Sequence, residues 1–312
     1  CVLPDSRPNL TIASDGICSA CKTFHRRTEI NWQQRNRLFE TLADKAKSSD
    51  SEYNCVVPVS GGKDSTWQVV KCLEYGLKPL TVSWRPPART SLGQKNLNNL
   101  KSLGVDHIDF SINPRIESSF MRKTFVEAGS SGIPMHYAIF AIPLKIAVNF
   151  NIPLIIWGEN SAIEYGGGSV DKHLTVLDEA WLSKYGVAQG FDILDWCDDE
   201  LTTEALSVYQ RPDNRLIKER EIQAVFLGNY FPWDPEESRR VAKNNGFEVR
   251  IEGAKTGYYN YADIDDDFIS IHHWLKWYKF GFTRLFDNLS LEIRNGRMDR
   301  CSAIEILRNI GA

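Results

Sequence analysis

The stretch that decides the fold of this chain is Val56-Val57-Pro58-Val59-Ser60-Gly61-Gly62-Lys63-Asp64-Ser65-Thr66. Its β-branched valines favour a strand buried on both faces, and the residues from Asp64 onward suit a helix N-terminus because their side chains can cap free amides. Gly61 and Gly62 let the backbone approach a bulky anion. A helix start that follows glycines and carries Lys63 attracts negative charge, so the stretch predicts a phosphate-binding site.

This motif differs from the common P-loop. A P-loop has a glycine five residues before its Gly-Lys pair and a Ser or Thr after the lysine, whereas Val57 and Asp64 occupy those positions here. The run from Ser60 to Ser65 instead resembles the pyrophosphate loop of the ATP pyrophosphatases. Members of that superfamily cleave ATP between the α and β phosphates and attach AMP to a carbonyl oxygen, from which a nucleophile displaces it. The alternative is an ordinary glycine turn with a solvated Lys63–Asp64 pair.

The composition is that of an ordinary globular protein. The chain has 312 residues, of which 42% are hydrophobic and 25% charged, so about two domains are expected. A net charge of −3 gives no general attraction to nucleic acid or to an anionic membrane. No apolar run approaches the ~18 residues of a membrane helix. We therefore expect a cytoplasmic protein with no nucleic acid partner and no membrane insertion.

The cysteines fall into two groups. Four of them are scattered (Cys55, Cys72, Cys197 and Cys301) and do not suggest a disulfide framework, which agrees with a reducing compartment. The others, Cys1 and the pair Cys18 and Cys21, lie in a loop rich in Pro, Asn and Asp and predict a structural zinc site. Three ligands are visible, and the fourth is a cysteine before residue 1, His25 or Cys301. A redox or sulfur-carrying pair is the alternative.

The order of the predicted elements defines the fold class. Strands are predicted to begin at Val56 and to span 79–84, 106–112, 153–157 and 223–231; helices are predicted over 31–47, 65–75, 96–103, 116–128, 135–149, 181–209, 235–245 and 268–286. Alternating strands and helices predict an α/β protein with a doubly wound parallel sheet. We divide the chain into a cysteine-rich zinc-binding segment (1–30), a core (31–170), and a region with the remaining strands and a helical substrate or partner part (171–312).

Ligands of such sheets bind beyond the carboxyl ends of the strands, which indicates three loops: residues 60–65, 84–89 and 158–168. In the third loop Glu159 and Asn160 follow the strand directly and are candidates to hold Mg²⁺ or a substrate amide. A mobile glycine loop with solvated acids is the alternative. His272 and His273 are adjacent, so they point to different faces of their helix and make a poor metal pair.

Motifs spread over nearly the whole chain resemble those of the N-acetyl sugar amidotransferases of bacterial surface-polysaccharide biosynthesis. They are Cys1–Asn9 with Cys18–Cys21, the pyrophosphate loop, Trp157–Asn160, Glu164–Gly167, Tyr230–Trp233, Lys279–Arg284 and Glu292–Arg297. The resemblance implies an adenine nucleotide alpha hydrolase-like fold. It also implies that the acetamido group of a nucleotide-linked sugar becomes an acetamidino group in the lipopolysaccharide O-antigen or a related glycan. Family members open with a C-x-x-C, of which Cys1 would be the second cysteine.

Charge and the resemblance together assign roles to individual residues. Ser60, Gly61, Gly62 and Ser65 would bind the pyrophosphate, Lys63 would neutralise charge on the β phosphate, and Asp64 would help to hold Mg²⁺. The remaining candidates are Ser83, Trp84 and Gly158 for ATP, Glu159, Asn160 and Lys255 for catalysis, and Tyr165, Arg284 and Arg294 for the sugar nucleotide.

The expected partners and the rival functions follow from the same comparison. The resemblance implies a separate glutaminase and an ammonia-channelling, synthase-like subunit between the two enzymes. One rival is a thiolation-type tRNA-modifying enzyme, which needs a sulfur-carrying cysteine; Cys55 and Cys72 lie near the loop but fall in the predicted strand and helix. The other rival is a zinc-stabilised scaffold that binds nucleotide without catalysis.

Overall fold

A computed structural model of the chain describes residues 1–160, 164, 177, 181–182 and 191–310. Its centre is a parallel sheet of five strands in the order β3-β2-β1-β4-β5. The strands are β1 (Cys55–Pro58), β2 (Pro79–Trp84), β3 (Asp106–Phe110), β4 (Leu154–Trp157) and β5 (Gln223–Phe226). The predicted doubly wound parallel sheet is thereby confirmed. The order reverses between β1 and β4, so their carboxyl ends flank the crevice in which such sheets bind ligands.

Helices cover both faces of the sheet. The described helices are α1 (Ser19–His25), α2 (Trp32–Lys47), α3 (Lys63–Glu74), α4 (Ser91–Lys101), α5 (Pro114–Ala128), α6 (Ile133–Asn149), α7 (Thr203–Leu206), α8 (Asn214–Glu219), α9 (Pro235–Asn244), α10 (Phe268–Phe280), α11 (Arg284–Arg294) and α12 (Arg300–Ile310). On one face Val56 packs in a cluster with Phe120 and Ile142. On the other, Val57 packs with Trp67 and Leu97. The central strand β1 is therefore apolar on both sides, as its valines predict.

Two predicted helices are wrong in extent. Over 191–209 the described chain forms only α7 and short 3-10 turns, because Asp192 and Thr202 accept hydrogen bonds from the nearby amides of Leu194 and Ala205 and so replace a continuous helix. The predicted helix over 268–286 is two helices. It breaks at Gly281, whose φ of 71° is left-handed and ends α10.

Other elements differ from the prediction only at their ends. The helix predicted from residue 96 begins at Ser91, because the Thr90 side chain accepts a hydrogen bond from the Gly93 amide and caps it. The strand predicted over 223–231 ends at Phe226, where a 3-10 turn (Leu227–Asn229) follows. None of the helices within the described ranges is long and apolar enough to cross a membrane.

The N-terminal segment packs against α11. The Val2 amide donates a hydrogen bond to Ser290 Oγ at 3.1 Å, and Arg7 forms an ion pair with Asp287, whose side chain is buried. Leu3 and Leu10 form a small apolar cluster against Phe286. Polar and apolar contacts thus join the N-terminal segment to α11.

Phe120 on α5 tests the packing of the sheet against its helices. Its side chain is 0% exposed and its ring contacts Tyr137, Trp196 and Tyr209. Phe120→Ala should lower the free energy of unfolding by about 3–5 kcal/mol in chemical denaturation, because a cavity replaces the ring. The control Val126→Ala, on the same helix at 75% exposure, should change it by less than about 0.5 kcal/mol. Equal losses in the two variants would contradict this packing.

Candidate active site

Residues 60–65, the predicted phosphate turn, connect β1 to α3. Side chains of the turn itself hold its backbone in place. The Ser60 amide donates a hydrogen bond to Ser65 Oγ at 3.0 Å, and the Gly62 amide donates one to Ser60 Oγ at 3.3 Å. Helix α3 begins at Lys63, two residues earlier than predicted. The first amides of a helix have no partner within it, so an anion at this turn meets free donors and the positive end of the helix dipole.

Gly61 and Gly158 lie where there is little room for a side chain. Gly61 has a φ of 88°, and a Cβ there would lie 2.8 Å from the backbone nitrogen of Leu97 on α4. A Cβ on Gly158, directly after β4, would lie 2.4 Å from Nε2 of Gln68 on α3. Gly61 accepts no side chain unless the backbone of α4 moves, whereas a side chain at Gly158 requires the Gln68 side chain to move aside.

Lys63 and Asp64 lie next to each other at the mouth of the turn. Lys63 Nζ is 2.5 Å from Asp64 Oδ2, and Trp233 Nε1 donates a hydrogen bond to Asp64 Oδ1 at 3.0 Å. The Lys63 ammonium lies 5.4 Å from the ring centre of Trp233 and 5.8 Å from that of Tyr261. These contacts fix a cation and a carboxylate beside the helix N-terminus.

An open cavity of about 160 Å³ lies in front of the turn. Ser60, Gly62, Lys63, Asp64 and Glu159 line it. Residues from later in the chain also line it: Trp233, Tyr259, Tyr261, Asp263, Asp265, Arg284 and Asn288. The cavity thus joins the carboxyl ends of β1 and β4 to the C-terminal part of the chain.

Two carboxyl groups in this cavity hold their protons unusually well. Burial and the nearby charge of Asp64 raise the pKa of Glu159 to about 7. Burial, together with the charges of Asp263 and Asp266, raises the pKa of Asp265 to about 6. A carboxyl group with a pKa near neutrality can accept or donate a proton in a reaction at that pH.

Asp263 has the opposite character. Burial opposes its ionisation, but the Arg284 guanidinium and a hydrogen bond with His273 outweigh burial and hold the pKa of Asp263 well below its usual range. Thr256 Oγ1 also donates a hydrogen bond to this carboxylate at 2.7 Å. Asp263 therefore stays ionised and fixes Arg284 at the cavity wall.

The structure brings only part of the predicted site together. Ser60, Gly62, Lys63, Asp64, Glu159 and Arg284 line the cavity, and Gly61, Ser65, Gly158 and Asn160 are next to lining residues in sequence. Four predicted residues lie elsewhere. Ser83 Oγ donates a hydrogen bond to Asp109, Trp84 Nε1 donates one to Glu117, Lys255 pairs with Asp267, and Arg294 donates one to the Glu164 carbonyl. Tyr165 lies outside the described residues.

Several cavity residues were not predicted as site residues. Trp233 ends the Tyr230–Trp233 motif, which was an available signal for its role. Tyr261, Asp265 and Asn288 have no comparable signal, because they lie in a loop and on a helix that reach the turn only through the tertiary fold. The contact of Asp265 with Ser60 joins residues about 200 positions apart in the sequence.

Cys1, Cys18 and Cys21 form the predicted metal group. Their sulfur atoms lie within 4.8 Å of one another, and those of Cys1 and Cys18 are 3.3 Å apart. A tetrahedral zinc site with Zn–S bonds of about 2.3 Å places its sulfurs about 3.8 Å apart, so the three thiols fit it. A hydrogen bond from Cys21 lowers the pKa of Cys18 to about 5 and supplies a thiolate. Among the described residues, neither His25 nor Cys301 lies within this group, and the identity of the fourth ligand stays a prediction.

The cysteine-rich segment also reaches the strand-end loop. Arg27 forms an ion pair with Glu164, and its Nη1 donates a hydrogen bond to the Trp233 carbonyl at 3.3 Å. Arg294 Nη2 donates a hydrogen bond to the Glu164 carbonyl at 2.8 Å. Arg27 of this segment therefore contacts Glu164 and the backbone of Trp233, the residue whose indole contacts Asp64.

One protein family matches part of the chain. Residues 252–311, about a fifth of the sequence, match the family described as LPS biosynthesis protein WbpG-like, C-terminal domain. No curated protein matches the chain significantly in sequence.

Solved structures align with most of the chain at low identity. The NMN synthetase of Francisella tularensis aligns at 17% identity over 72% of this chain and 90% of its own, with a TM-score of 0.33. The NH3-dependent NAD synthetase of Campylobacter jejuni aligns at 17% over 70% and 96%, with a TM-score of 0.32. A predicted subunit of tRNA methyltransferase from Methanocaldococcus jannaschii aligns at 16% over 74% and 90%, with a TM-score of 0.33.

The thiol group predicts a measurable metal content. Protein purified without chelator should contain about one zinc per chain by mass spectrometry of the metal, and Cys18→Ser should lose most of it because a buried ligand is removed. The matched control is Cys301→Ser, which changes an exposed cysteine outside the group and should keep the metal. Equal zinc contents in the two variants would contradict the site.

The pKa of Glu159 predicts how stability depends on pH. The folded state holds the proton up to about pH 7, whereas the ordinary value is 4.5, so ionisation of Glu159 destabilises the fold as pH rises between them. In EDTA, the difference in free energy of unfolding between Glu159→Gln and wild type should rise by about 1–3 kcal/mol, in favour of the variant, between pH 4.5 and pH 7.5. The matched control is Glu52→Gln at an exposed glutamate. The same gain in both variants, or none in Glu159→Gln, would contradict the assignment.

Proposed function

We propose that this chain is an ATP-dependent amidotransferase of C–N ligase type, acting on a nucleotide-linked acetamido sugar. It converts the acetamido group to an acetamidino group, with release of AMP and pyrophosphate, in the biosynthesis of O-antigen or a related glycan. One observation carries the proposal: the cavity in front of the phosphate turn is lined by Tyr259, Asp263, Arg284 and other residues of the segment that matches the LPS biosynthesis family. A phosphate site and a glycan-pathway segment thus share one cavity.

In the first step the amide oxygen attacks the α phosphorus of ATP. The bond from that phosphorus to the bridging oxygen breaks, pyrophosphate leaves with the electron pair, and the amide N–H gives up its proton. The turn amides and Lys63 stabilise the charge that grows on the departing pyrophosphate. Glu159, with a pKa near 7, is suited to accept the proton.

In the second step ammonia adds to the carbon of the adenylated imidate. The C–O bond breaks, and AMP leaves with the former amide oxygen, so that an amidine remains. An amide is a poor electrophile, and adenylation turns its oxygen into a phosphate-ester leaving group. Asp265, with a pKa of about 6, lines the same cavity and is suited to take up the proton that the added ammonia loses.

The donor set of the turn also fits magnesium. Asp64 and Glu159 offer carboxylate oxygens in a cavity that would hold phosphate, and such oxygens are the ligands that Mg²⁺ prefers. When bound, the ion would neutralise phosphate charge. Asp64 is the better candidate to hold it, because Trp233 fixes its orientation.

Ammonia has to come from another protein or from solution. We include in the proposal a separate glutaminase, with an ammonia-channelling subunit between the two enzymes, as the family resemblance implies. The tRNA thiolation alternative gains no support from the cysteines near the turn. Cys55 and Cys72 are both 0% exposed and belong to the core, where they cannot pass sulfur to a large substrate.

The direct test is release of AMP. The protein is incubated with ATP, ammonium and a panel of UDP- and CMP-linked acetamido sugars, and AMP and the sugar product are followed by mass spectrometry. We expect AMP in equal amount to an acetamidino sugar. Lys63→Ala should lower the rate by about 10²-fold or more, because a positive charge on the developing pyrophosphate is lost.

Lys71→Ala provides the matched control. Lys71 lies on the same helix, pairs with Glu74 and does not line the cavity, so its loss should leave the rate unchanged. AMP release that needs tRNA, or that survives Lys63→Ala, would overturn the proposal.

A further inference from the structure

A second, larger cavity lies between α5 and α10, next to the end of β2. Its volume is about 300 Å³, and most of its lining is apolar: Pro87, Pro114, Met121, Phe125, Phe268 and Ile271. None of its lining residues belongs to the phosphate turn or to the loop after β4. It is therefore a separate site, large enough for one ring system with its substituents.

Two polar residues of the lining are buried. Glu117 is 5% exposed and accepts a hydrogen bond from Trp84 Nε1 at 2.7 Å through Oε1. Ser131 is 7% exposed, and no hydrogen-bond partner of its Oγ is found among the described residues. A buried hydroxyl without a partner costs free energy, and a ligand that accepts a hydrogen bond from it would recover that cost.

The charges of the cavity exclude a phosphate as its occupant. Among the described lining residues Arg122 is the only one with a basic side chain, and it is exposed and lies 3.5 Å from Glu200. Glu117 adds an acid, whose pKa is raised to about 7 by burial. A bare sugar fits poorly too, because its hydroxyls need more polar partners than the cavity offers. An uncharged planar ring with a few polar edge atoms fits both the walls and the two polar groups.

The linings of this cavity and of the reaction cavity include residues that are close together in the sequence. Asp265 lines the reaction cavity, and the next residue, Asp266, lines a small pocket that shares Met121, Ser131 and Phe268 with the large one. Residues 265–268 therefore separate the two sites. A ligand with a ring at one end and a reacting group at the other could occupy both.

We propose that this cavity binds the nucleobase of the nucleotide-linked sugar, an inference that rests on the proposed function. Glu117 accepts a hydrogen bond from a ring N–H or an exocyclic amine, and Ser131 donates one to a ring carbonyl. Uracil and cytosine both present such neighbouring groups, whereas the phosphates stay outside the apolar walls. Adenine from ATP shares the chemistry of a nucleobase, so the experiment has to separate the two sources.

The test is calorimetric titration of the whole protein with UMP, CMP and AMP. We expect UMP or CMP to bind and Ser131→Ala to weaken that binding about fivefold, because one hydrogen bond is lost. Ile271→Trp, at the partly exposed rim, should weaken it at least about tenfold by filling the mouth. The matched control Ile251→Trp, at a position 97% exposed and away from the cavity, should bind like wild type.

The outcomes separate this inference from the proposed function. Loss of AMP binding in Ile271→Trp with pyrimidine binding unchanged would assign the cavity to adenine and overturn the inference. Failure of UMP and CMP to bind wild type, or equal binding by all variants, would also overturn it. Because binding needs no turnover, these results stand whether or not AMP is released. If AMP is released, the two cavity variants should raise the KM for the sugar nucleotide and leave the KM for ATP unchanged.

Discussion

The close approach of the turn at Gly61 to α4 is the constraint on which the rest of the site depends. A φ of 88° and the backbone of Leu97 at 2.8 Å from any added Cβ leave only glycine at this position. The conformation lets the chain leave a buried strand and enter α3 at once, so that the helix begins at Lys63. The positive end of the helix, the lysine and the adjacent carboxylate are thereby placed at the carboxyl edge of the sheet.

The site is completed from distant parts of the chain. Trp233 orients Asp64, Asp263 fixes Arg284, and the cysteine-rich segment holds the loop after β4 through Arg27. The same cavity holds a pair of easily protonated carboxyl groups, Glu159 and Asp265, together with the Lys63 ammonium. A site of this kind can stabilise a departing anion and move protons in the same cavity.

The sequence was most informative where local chemistry determines structure. The valines of β1 and the glycines of the turn predicted the strand and the turn, the alternation of strands and helices predicted the parallel sheet, and the cysteine spacing predicted the thiol group. It was less informative where tertiary contacts decide. The position of Asp265 beside Ser60 depends on packing between segments far apart in the chain. Trp84 was expected to contact ATP. Its indole instead donates a hydrogen bond to Glu117 and lines the small pocket beside the second cavity, because the pleat of β2 directs it to the α5 face.

The most direct measurement of the central claim is a crystal structure of the protein with the non-hydrolysable analogue α,β-methylene ATP. We expect the β and γ phosphates against the amides of residues 61–65, with Lys63 Nζ within hydrogen-bonding distance of a β oxygen and the α phosphorus facing the cavity that holds Glu159 and Asp265. A nucleotide bound elsewhere, with the turn unchanged and no phosphate beside Lys63, would contradict the account.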